Sequence, residues 1–155
     1  MDFSLRPVTV GDVDDLRQLY RESVATLGPA AYSAAQVAAW QAFAAQPGFA
    51  DFVLTPGTWL AHHDGTLAGF CGVEADGHVT ALYLAPGYCG RGLGETLLRA
   101  VLARHPAPAS GGYHAEASAF SLPVFLRCGF VHAGVEHVVR DGVAFARILV
   151  SRPAP

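Results

Sequence analysis

The chain has 155 residues, of which 52% are hydrophobic and 15% are charged. Because about 100–200 residues are typical of one domain, we expect residues 1–155 to form a single domain with its own core. Ten basic residues, all of them arginine, stand against thirteen acidic ones, for a net charge of −3. The absence of lysine excludes a Walker-type phosphate loop, and the lack of a basic excess argues against nucleic acid as a partner.

The start of the chain and its cysteines indicate the cellular compartment in which we expect the protein. The first residues lack the basic-then-apolar order of a secretory signal, and acids follow at Asp12, Asp14 and Asp15. The uncharged stretch 23–50 is broken by proline and glutamine, so we predict no membrane span. Three widely spaced cysteines without a CxxC pair are typical of reduced thiols and indicate no metal. We therefore expect a cytoplasmic protein.

The first third of the chain predicts an edge strand and two helices. Residues 3–8 alternate loosely in polarity, as in a short edge strand. Thr9 and Asp12 have the spacing of a capping box, and Ser33 and Gln36 repeat it. Each apolar helical pattern that follows ends at a pair of glycine and proline, which predicts two successive helices.

The middle of the chain changes to the period of β-strands. Two Asp-Gly pairs, at residues 64–65 and 76–77, separate short β-rich runs, and Asp-Gly favours tight hairpin turns. The predicted strands are 58–63, 67–74 and 78–84. We therefore expect an antiparallel meander.

The last part of the chain alternates between the two periods. It predicts a helix at 95–104, a strand at 113–117, a short helix at 121–127 and a hairpin formed by 130–139 and 143–150. The resulting order is β-α-α-β-β-β-α-β-α-β-β. This order indicates an α+β fold with a mixed sheet.

A glycine-rich turn joins the third strand of the meander to the next helix. Leu82 to Gly94 runs from strand through this turn into helix. Glycines allow backbone N–H groups to approach an anion, and a helix N-terminus favours negative charge, so the segment predicts a pyrophosphate site. A turn that needs glycine for geometry alone is the alternative. A dinucleotide-binding fingerprint fits poorly, because Glu95 stands where its third glycine belongs.

Two segments resemble motifs of the GNAT superfamily of N-acetyltransferases. Leu82 to Gly94 is similar to motif A, a strand followed by Gln/Arg-x-x-Gly-x-Gly/Ala, and Ala117 to Phe130 is similar to the motif that ends Phe-Tyr-x-x-x-Gly-Phe. The resemblance implies a GNAT-like fold, with a mixed, mostly antiparallel central sheet flanked by helices. It also implies an acetyl-CoA-dependent N-acetyltransferase that transfers acetyl directly to an amine, with no metal.

The resemblance further implies which residues hold acetyl-CoA. Strand backbone would run beside the pantetheine arm, the glycine turn would bind the pyrophosphate, and Ser118 stands where the family often has an asparagine near the pantetheine. The implied cofactor-binding residues are Leu82, Tyr83, Leu84, Cys89, Gly90, Arg91, Gly92, Leu93, Gly94, Ser118 and Phe125.

Two positions depart from the family pattern. Cys89 stands where the family usually has glutamine or arginine, so one side chain that often supports the phosphates is missing. Phe125 stands where many members place the tyrosine that protonates the departing thiolate. A thiolate can take its proton from water, so transfer remains open, but so does a non-catalytic acyl-CoA-binding or sensing domain.

Acetyl transfer to an amine requires that the ammonium first lose its proton. His78 opens the strand before motif A, near the place where some members carry a basic glutamate, and an ordinary histidine pKa near 6.5 suits a proton acceptor. Glu74 is the alternative catalytic base. Either residue could instead be a solvated strand end.

The acceptor side is indicated by a second resemblance. Tyr32, Gln36 and Trp40 fit a Tyr-Ser-x-x-Gln-x-x-x-Trp pattern of some bacterial GNAT proteins, in which the first helices wall the acceptor site. For Trp40, simple packing in the core is the alternative. The partner is expected to be a small-molecule or peptide amine of open identity. A homodimer is a common arrangement for such chains, and the sequence leaves the oligomeric state open.

Overall fold

The computed structural model describes residues 2–108 and 111–154. The strands are β1 (Ser4–Pro7), β2 (Gly57–His63), β3 (Thr66–Val73), β4 (Val79–Leu84), β5 (Tyr113–Ala117), β6 (Val131–Arg140) and β7 (Val143–Arg152). The helices are α1 (Val13–Leu27), α2 (Ala34–Ala42), α3 (Gly48–Leu54), α4 (Leu93–Arg104) and α5 (Leu122–Arg127). The α+β class is confirmed, and the predicted elements occur in the predicted order with one additional helix, α3.

Helix α3 is the one helix that the sequence did not predict. It has seven residues, which is too short for a helical period to be recognised, and it follows Pro47 directly. Phe49 and Val53 lie one turn apart on α3 and are fully buried. Their burial against α1 and β2 stabilises a helix that would not form alone.

The strands form two antiparallel sheets, ordered β1-β2-β3-β4 and β5-β7-β6. A parallel bridge between His78 and His114 brings the two sheets together at the start of β4. Beyond this bridge no ladder pair joins β4 to β5 within the described ranges. The two sheets are therefore in contact at one end and open at the other, where a ligand can lie between them.

Helices cover both faces of the first sheet. On one face, α4 buries Leu97, Leu98 and Val101. On the other face, α1 buries Leu16 and Tyr20, in one cluster with α3. Burial of such apolar side chains contributes about 1.5–3 kcal/mol each, so these two layers fix the position of β4.

Both predicted capping boxes are present. The carboxylate of Asp12 accepts hydrogen bonds from the backbone N–H of Thr9 at 2.7 Å and from Arg6, which holds the pKa of Asp12 well below its usual range. Ser33 and Gln36 cap α2 reciprocally at 3.1 and 2.9 Å. Across the described residues, no helix has the length and apolar character needed to cross a membrane.

Candidate active site

A cavity of about 900 Å³ lies where the two sheets separate. It is lined by β4, by the glycine turn before α4, by the loop between β5 and α5, by α1 and α2, and by the end of the β6–β7 hairpin. Most of the residues singled out from the sequence lie along it. One continuous space thus joins the turn to the helices of the first third.

The glycine turn has the backbone geometry that an anion site needs. Gly90 and Gly92 have φ of +75° and +79°, a region that favours glycine. Gly92 is the N-cap of α4, and no side chain caps the helix there. A Cβ added at either glycine meets no atom within 4 Å, so the space outside the turn is open. The free N–H groups of the first turn of α4 therefore face a space that an anion can enter.

The side chains of the turn differ in their surroundings. Cys89 and Gly94 line the cavity. Burial raises the pKa of the Cys89 thiol, which therefore stays neutral. Leu93 is buried in the core, so that its backbone alone can face a ligand, and the guanidinium of Arg91 lies 5.7 Å from the centre of the Tyr88 ring. Arg91 is exposed and remains able to reach an anion at the turn.

Strand β4 presents one free edge to the cavity. It pairs with β3 along one edge only, so alternate backbone groups of Leu82, Tyr83 and Leu84 on the other edge have no strand partner. All three residues line the cavity. The side chains of Leu82 and Leu84 pack against the cluster of α4, and that of Tyr83 packs against the cluster of α1. Both the core role and the backbone role expected from the sequence fit this arrangement.

Ser118 and Phe125 line the cavity, but their side chains have structural contacts. The hydroxyl of Ser118 accepts hydrogen bonds from the backbone N–H groups of Phe120 and Ser121, so it holds the loop that leads into α5. Phe125 is 3% exposed and packs against Phe130 at 5.0 Å between ring centres. The residue at position 125 therefore offers no proton to a departing thiolate.

His78 lies between two carboxylates. Its Nδ1 is 3.0 Å from Oε1 of Glu74, and its Nε2 is 2.6 Å from Oε2 of Glu116. The hydrogen bond to Glu116 is the main cause that raises the pKa of His78 to about 9. The expectation of an ordinary histidine pKa is therefore wrong, because the sequence does not show that a second carboxylate faces the ring.

Glu116, on β5, is the functional candidate that sequence reasoning missed. It lines the cavity, whereas Glu74 does not. Its Oε1 lies 3.8 Å from the guanidinium of Arg147, which is bound more closely to Glu136. The hydrogen bond from His78 lowers the pKa of Glu116, so this carboxylate is ionised at neutral pH. The available signal was a glutamate between two buried alanines of a predicted strand, directly before the second motif.

The structure brings Tyr32 and Trp40 to the cavity and leaves Gln36 outside its lining. The hydroxyl of Tyr32 accepts a hydrogen bond from the backbone N–H of Ala119 at 2.9 Å. Gln36 donates to the backbone oxygen of Ala144 on β7 at 3.1 Å. The first hydrogen bond ties the turn before α2 to the loop between β5 and α5, and the second ties α2 to β7. The side chain of Gln36 therefore makes structural contacts, its oxygen with Ser33 and its nitrogen with Ala144.

Aromatic rings surround the end of the cavity next to α1 and α2. Trp40 donates to the hydroxyl of Tyr83 at 3.1 Å, and burial raises the pKa of that hydroxyl. Tyr32 packs edge-on against Trp40 at 5.2 Å between ring centres. We call this region the aromatic chamber; it is formed by Tyr20, Tyr32, Trp40, Tyr83, Phe120 and Phe145.

Residues 29–149 match the acetyltransferase (GNAT) domain family, which shows that the chain belongs to it. Solved structures share the fold over nearly the whole chain. A GCN5-related N-acetyltransferase from Rhodopseudomonas palustris has a TM-score of 0.92 and 25% identity, with coverage of 99% of this chain and 96% of that one. The family resemblance inferred from the two sequence motifs is thus confirmed.

The similar structures include complexes with coenzyme A or acetyl-CoA. The PaiA N-acetyltransferase of Thermoplasma acidophilum, in complex with coenzyme A, has a TM-score of 0.79 and 16% identity, over 99% of both chains. A phosphinothricin acetyltransferase of Sinorhizobium meliloti, in complex with acetyl-CoA, has a TM-score of 0.68 and 23% identity, over 99% of this chain and 89% of that one. No curated protein sequence matches the chain.

Proposed function

We propose that the protein is an acetyl-CoA-dependent N-acetyltransferase that transfers acetyl directly from the thioester to an amine. The observation that carries the proposal is the continuity of one cavity from the glycine turn, along the free edge of β4, to Glu116 and the aromatic chamber. An enzyme of this kind needs a phosphate site, a thioester site and an amine site, in this order along one cavity. Complexes of two similar proteins with coenzyme A and acetyl-CoA support the same choice of co-substrate.

The residues of this chain fit such a co-substrate. The free N–H groups at Gly90 to Gly94 would bind the pyrophosphate, and Arg91 would add a positive charge beside it. The unpaired backbone groups of β4 would bind the amide groups of the pantetheine arm as an added strand does. Acetyl-CoA supplies an activated acyl group. The side chains of Cys89 and Ser118 contribute to the wall of the site.

Glu116 is proposed as the group that accepts the proton of the acceptor. Both ring nitrogens of His78 are held by carboxylates, so neither is free to face an amine. Glu116 lines the cavity, and its Oε1, the oxygen that His78 does not contact, lies 3.8 Å from the guanidinium of Arg147. It can therefore bind the ammonium and receive its proton, directly or through one water molecule.

His78 and Glu74, the bases suggested by the sequence, would then be positioning residues. The protonated ring of His78 keeps Glu116 ionised and fixes its orientation, and Glu74 holds the opposite side of that ring. In the reaction the amine nitrogen forms a bond to the acyl carbon while the C–S bond breaks. Glu116 takes one proton of the bound ammonium before the attack. The nitrogen loses its second proton as the amide forms, and water relays this proton to the departing thiolate because Phe125 has none to give.

A non-catalytic acyl-CoA-binding domain is the second candidate, and the apolar ring of Phe125 favours it.

The two functions differ in a simple experiment. Thermal melting with coenzyme A and acetyl-CoA tests the co-substrate site, and release of free thiol from acetyl-CoA with a panel of primary amines tests transfer. We expect stabilisation by both ligands and amine-dependent thiol release. Stabilisation without release for any amine would establish the binding domain, and no stabilisation would refute both candidates.

A further inference from the structure

We propose that the acceptor is an amine joined through an apolar body to an anionic group such as a carboxylate. This inference rests on the N-acetyltransferase function above and adds the chemical class of the acceptor. It is carried by the side chains along one face of the β6–β7 hairpin, where that hairpin borders the aromatic chamber. Along this face an ion pair is followed by apolar side chains and then by an arginine.

Alternate residues of a strand share a face, so every second pair of the hairpin lies on the same side. On the face whose residues Val138, Arg140, Phe145 and Arg147 line the cavity, the successive pairs are Glu136 with Arg147, Val138 with Phe145, and Arg140 with Val143. Pairs two residues apart along a strand are separated by about 7 Å. The face therefore presents an ion pair, then an apolar pair, then a lone arginine.

The end of this face at Glu136 and Arg147, which we call the inner end, belongs to a cluster with an excess of negative charge. Three carboxylates, from Glu74, Glu116 and Glu136, are linked in one network to two cations, His78 and Arg147. The raised pKa of His78 keeps its ring charged at neutral pH, so the network has one negative charge in excess. An ammonium group placed beside Oε1 of Glu116 would balance it.

The outer end has the opposite character. Arg140 lines the cavity, and within residues 2–108 and 111–154 no carboxylate lies within ion-pair distance of its guanidinium. Asp141 lies next to it at the hairpin turn and also lines the cavity mouth, without pairing to it. A guanidinium without a partner is suited to a planar anion such as a carboxylate.

The space between the two ends is apolar. Val138 and Phe145 line it from the hairpin, Trp40 lines it from α2, and Tyr32 lines it from the turn before α2. A second ammonium would be unfavourable in this apolar region or against Arg140, whereas Asp141 at the cavity mouth would favour it, so the two residues are tested separately below. A simple alkylamine would leave Arg140 without a partner. An amine with an apolar spacer and a terminal anion matches all three regions.

Three probes of one shape test the proposal: para-aminomethylbenzoate, benzylamine and para-xylylenediamine. We measure kcat/KM for each by thiol release from acetyl-CoA. We expect the carboxylate probe to exceed benzylamine by roughly tenfold or more, the usual size of a charge-assisted hydrogen bond, and the diamine to be the poorest. A diamine that equals or exceeds the carboxylate probe would overturn the proposal.

Two variants identify the residue responsible. Arg140→Gln should remove most of the preference for the carboxylate probe over benzylamine, and Asp141→Asn should keep it. If Asp141→Asn abolishes use of the diamine while Arg140→Gln leaves the preference intact, the anion site at Arg140 is refuted. If other primary amines of the panel give thiol release but none of the three probes is acetylated, the acceptor class is wrong while the N-acetyltransferase function stands. If no amine gives release, or if coenzyme A does not stabilise the protein, the underlying function is refuted instead.

Discussion

The two carboxylate oxygens of Glu116 have different contacts. Oε2 accepts a hydrogen bond from His78 at 2.6 Å, whereas Oε1 lies 3.8 Å from Arg147, and the residue lines the cavity. A partly buried carboxylate would ordinarily gain a proton, because burial disfavours its charge. The neighbouring imidazolium and Arg147 outweigh that effect, and the pKa of Glu116 is lowered. The carboxylate can therefore bind an ammonium at neutral pH.

We expect Glu116→Gln to lower kcat by at least tenfold, since general-base catalysis typically contributes about 10²–10⁴-fold. The amide keeps the size of the side chain and a hydrogen-bonding oxygen but cannot take a proton. Affinity for acetyl-CoA, measured by calorimetry, should be preserved. Steady-state thiol release gives the rate.

Glu74→Gln is the matched control, because Glu74 contacts the other nitrogen of the same ring and lies outside the cavity lining. Its effect on kcat should be several times smaller. Equal losses in both variants would mean that the two carboxylates act only by holding His78. An undiminished rate in Glu116→Gln would show that solvent deprotonates the acceptor.

Glu116 also shows which part of the site could not be predicted from the sequence. Local spacing could pair His78 with Glu74, four residues away across a hairpin turn. It could not bring in Glu116, which is 38 residues further along and meets the ring only because β4 and β5 touch at one bridge. The contact is tertiary, so no short-range pattern encodes it.

At the scale of elements, the glycine turn was predictable because its conformation is local. Gly92 lies at φ +79° as the N-cap of α4, and an L-residue in this region costs about 1–2 kcal/mol. Backbone strain of this kind limits which residue can follow Arg91. What the sequence could not show is that open space lies outside the turn, since that depends on where the second sheet lies.

Gly92→Val should remove most of the thermal stabilisation given by coenzyme A, because the added side chain extends from the N-cap toward the anion site. The strain should also lower the stability of the free protein by about 1–2 kcal/mol. Thermal melting with and without coenzyme A separates the two effects.

Gly65→Val is the matched control. Gly65 lies at φ +77° in the β2–β3 turn, also with nothing within 4 Å of an added Cβ, and it does not line the cavity. It should lose a similar stability and keep the full shift with coenzyme A. A full shift in Gly92→Val would move the phosphate site away from this turn.

At the scale of the whole molecule, the order of strands and helices follows from local periodicity and turn residues, but the division into two sheets does not. Asp-Gly turns fix β2, β3 and β4 as neighbours because each connection is short. The long connection from β4 through α4 to β5 carries no comparable signal. The place where the sheets meet is set by tertiary contacts, among them the ion pairs around His78.

These ion pairs hold the two sheets together, because Glu74 and His78 belong to the β3–β4 connection and Glu116 belongs to β5. The pKa of His78 is about 9 in the folded protein and near 6.5 in an unfolded chain. Folding therefore favours the protonated ring, and its contribution to stability is complete below about pH 6.5 and is lost as the pH rises through about 9.

We expect the melting temperature to fall by several degrees between pH 6.5 and 9, since each kcal/mol corresponds to about 2–4 °C in a chain of this size. His78→Gln should lower the melting temperature at pH 6.5 and flatten this dependence, because no imidazolium is left to lose its proton. His137→Gln, at an exposed position on β6, is the control and should keep the slope of the native protein. If the slope persists in His78→Gln, the loss of stability belongs to another group, and the contact between the sheets does not depend on the charge of His78.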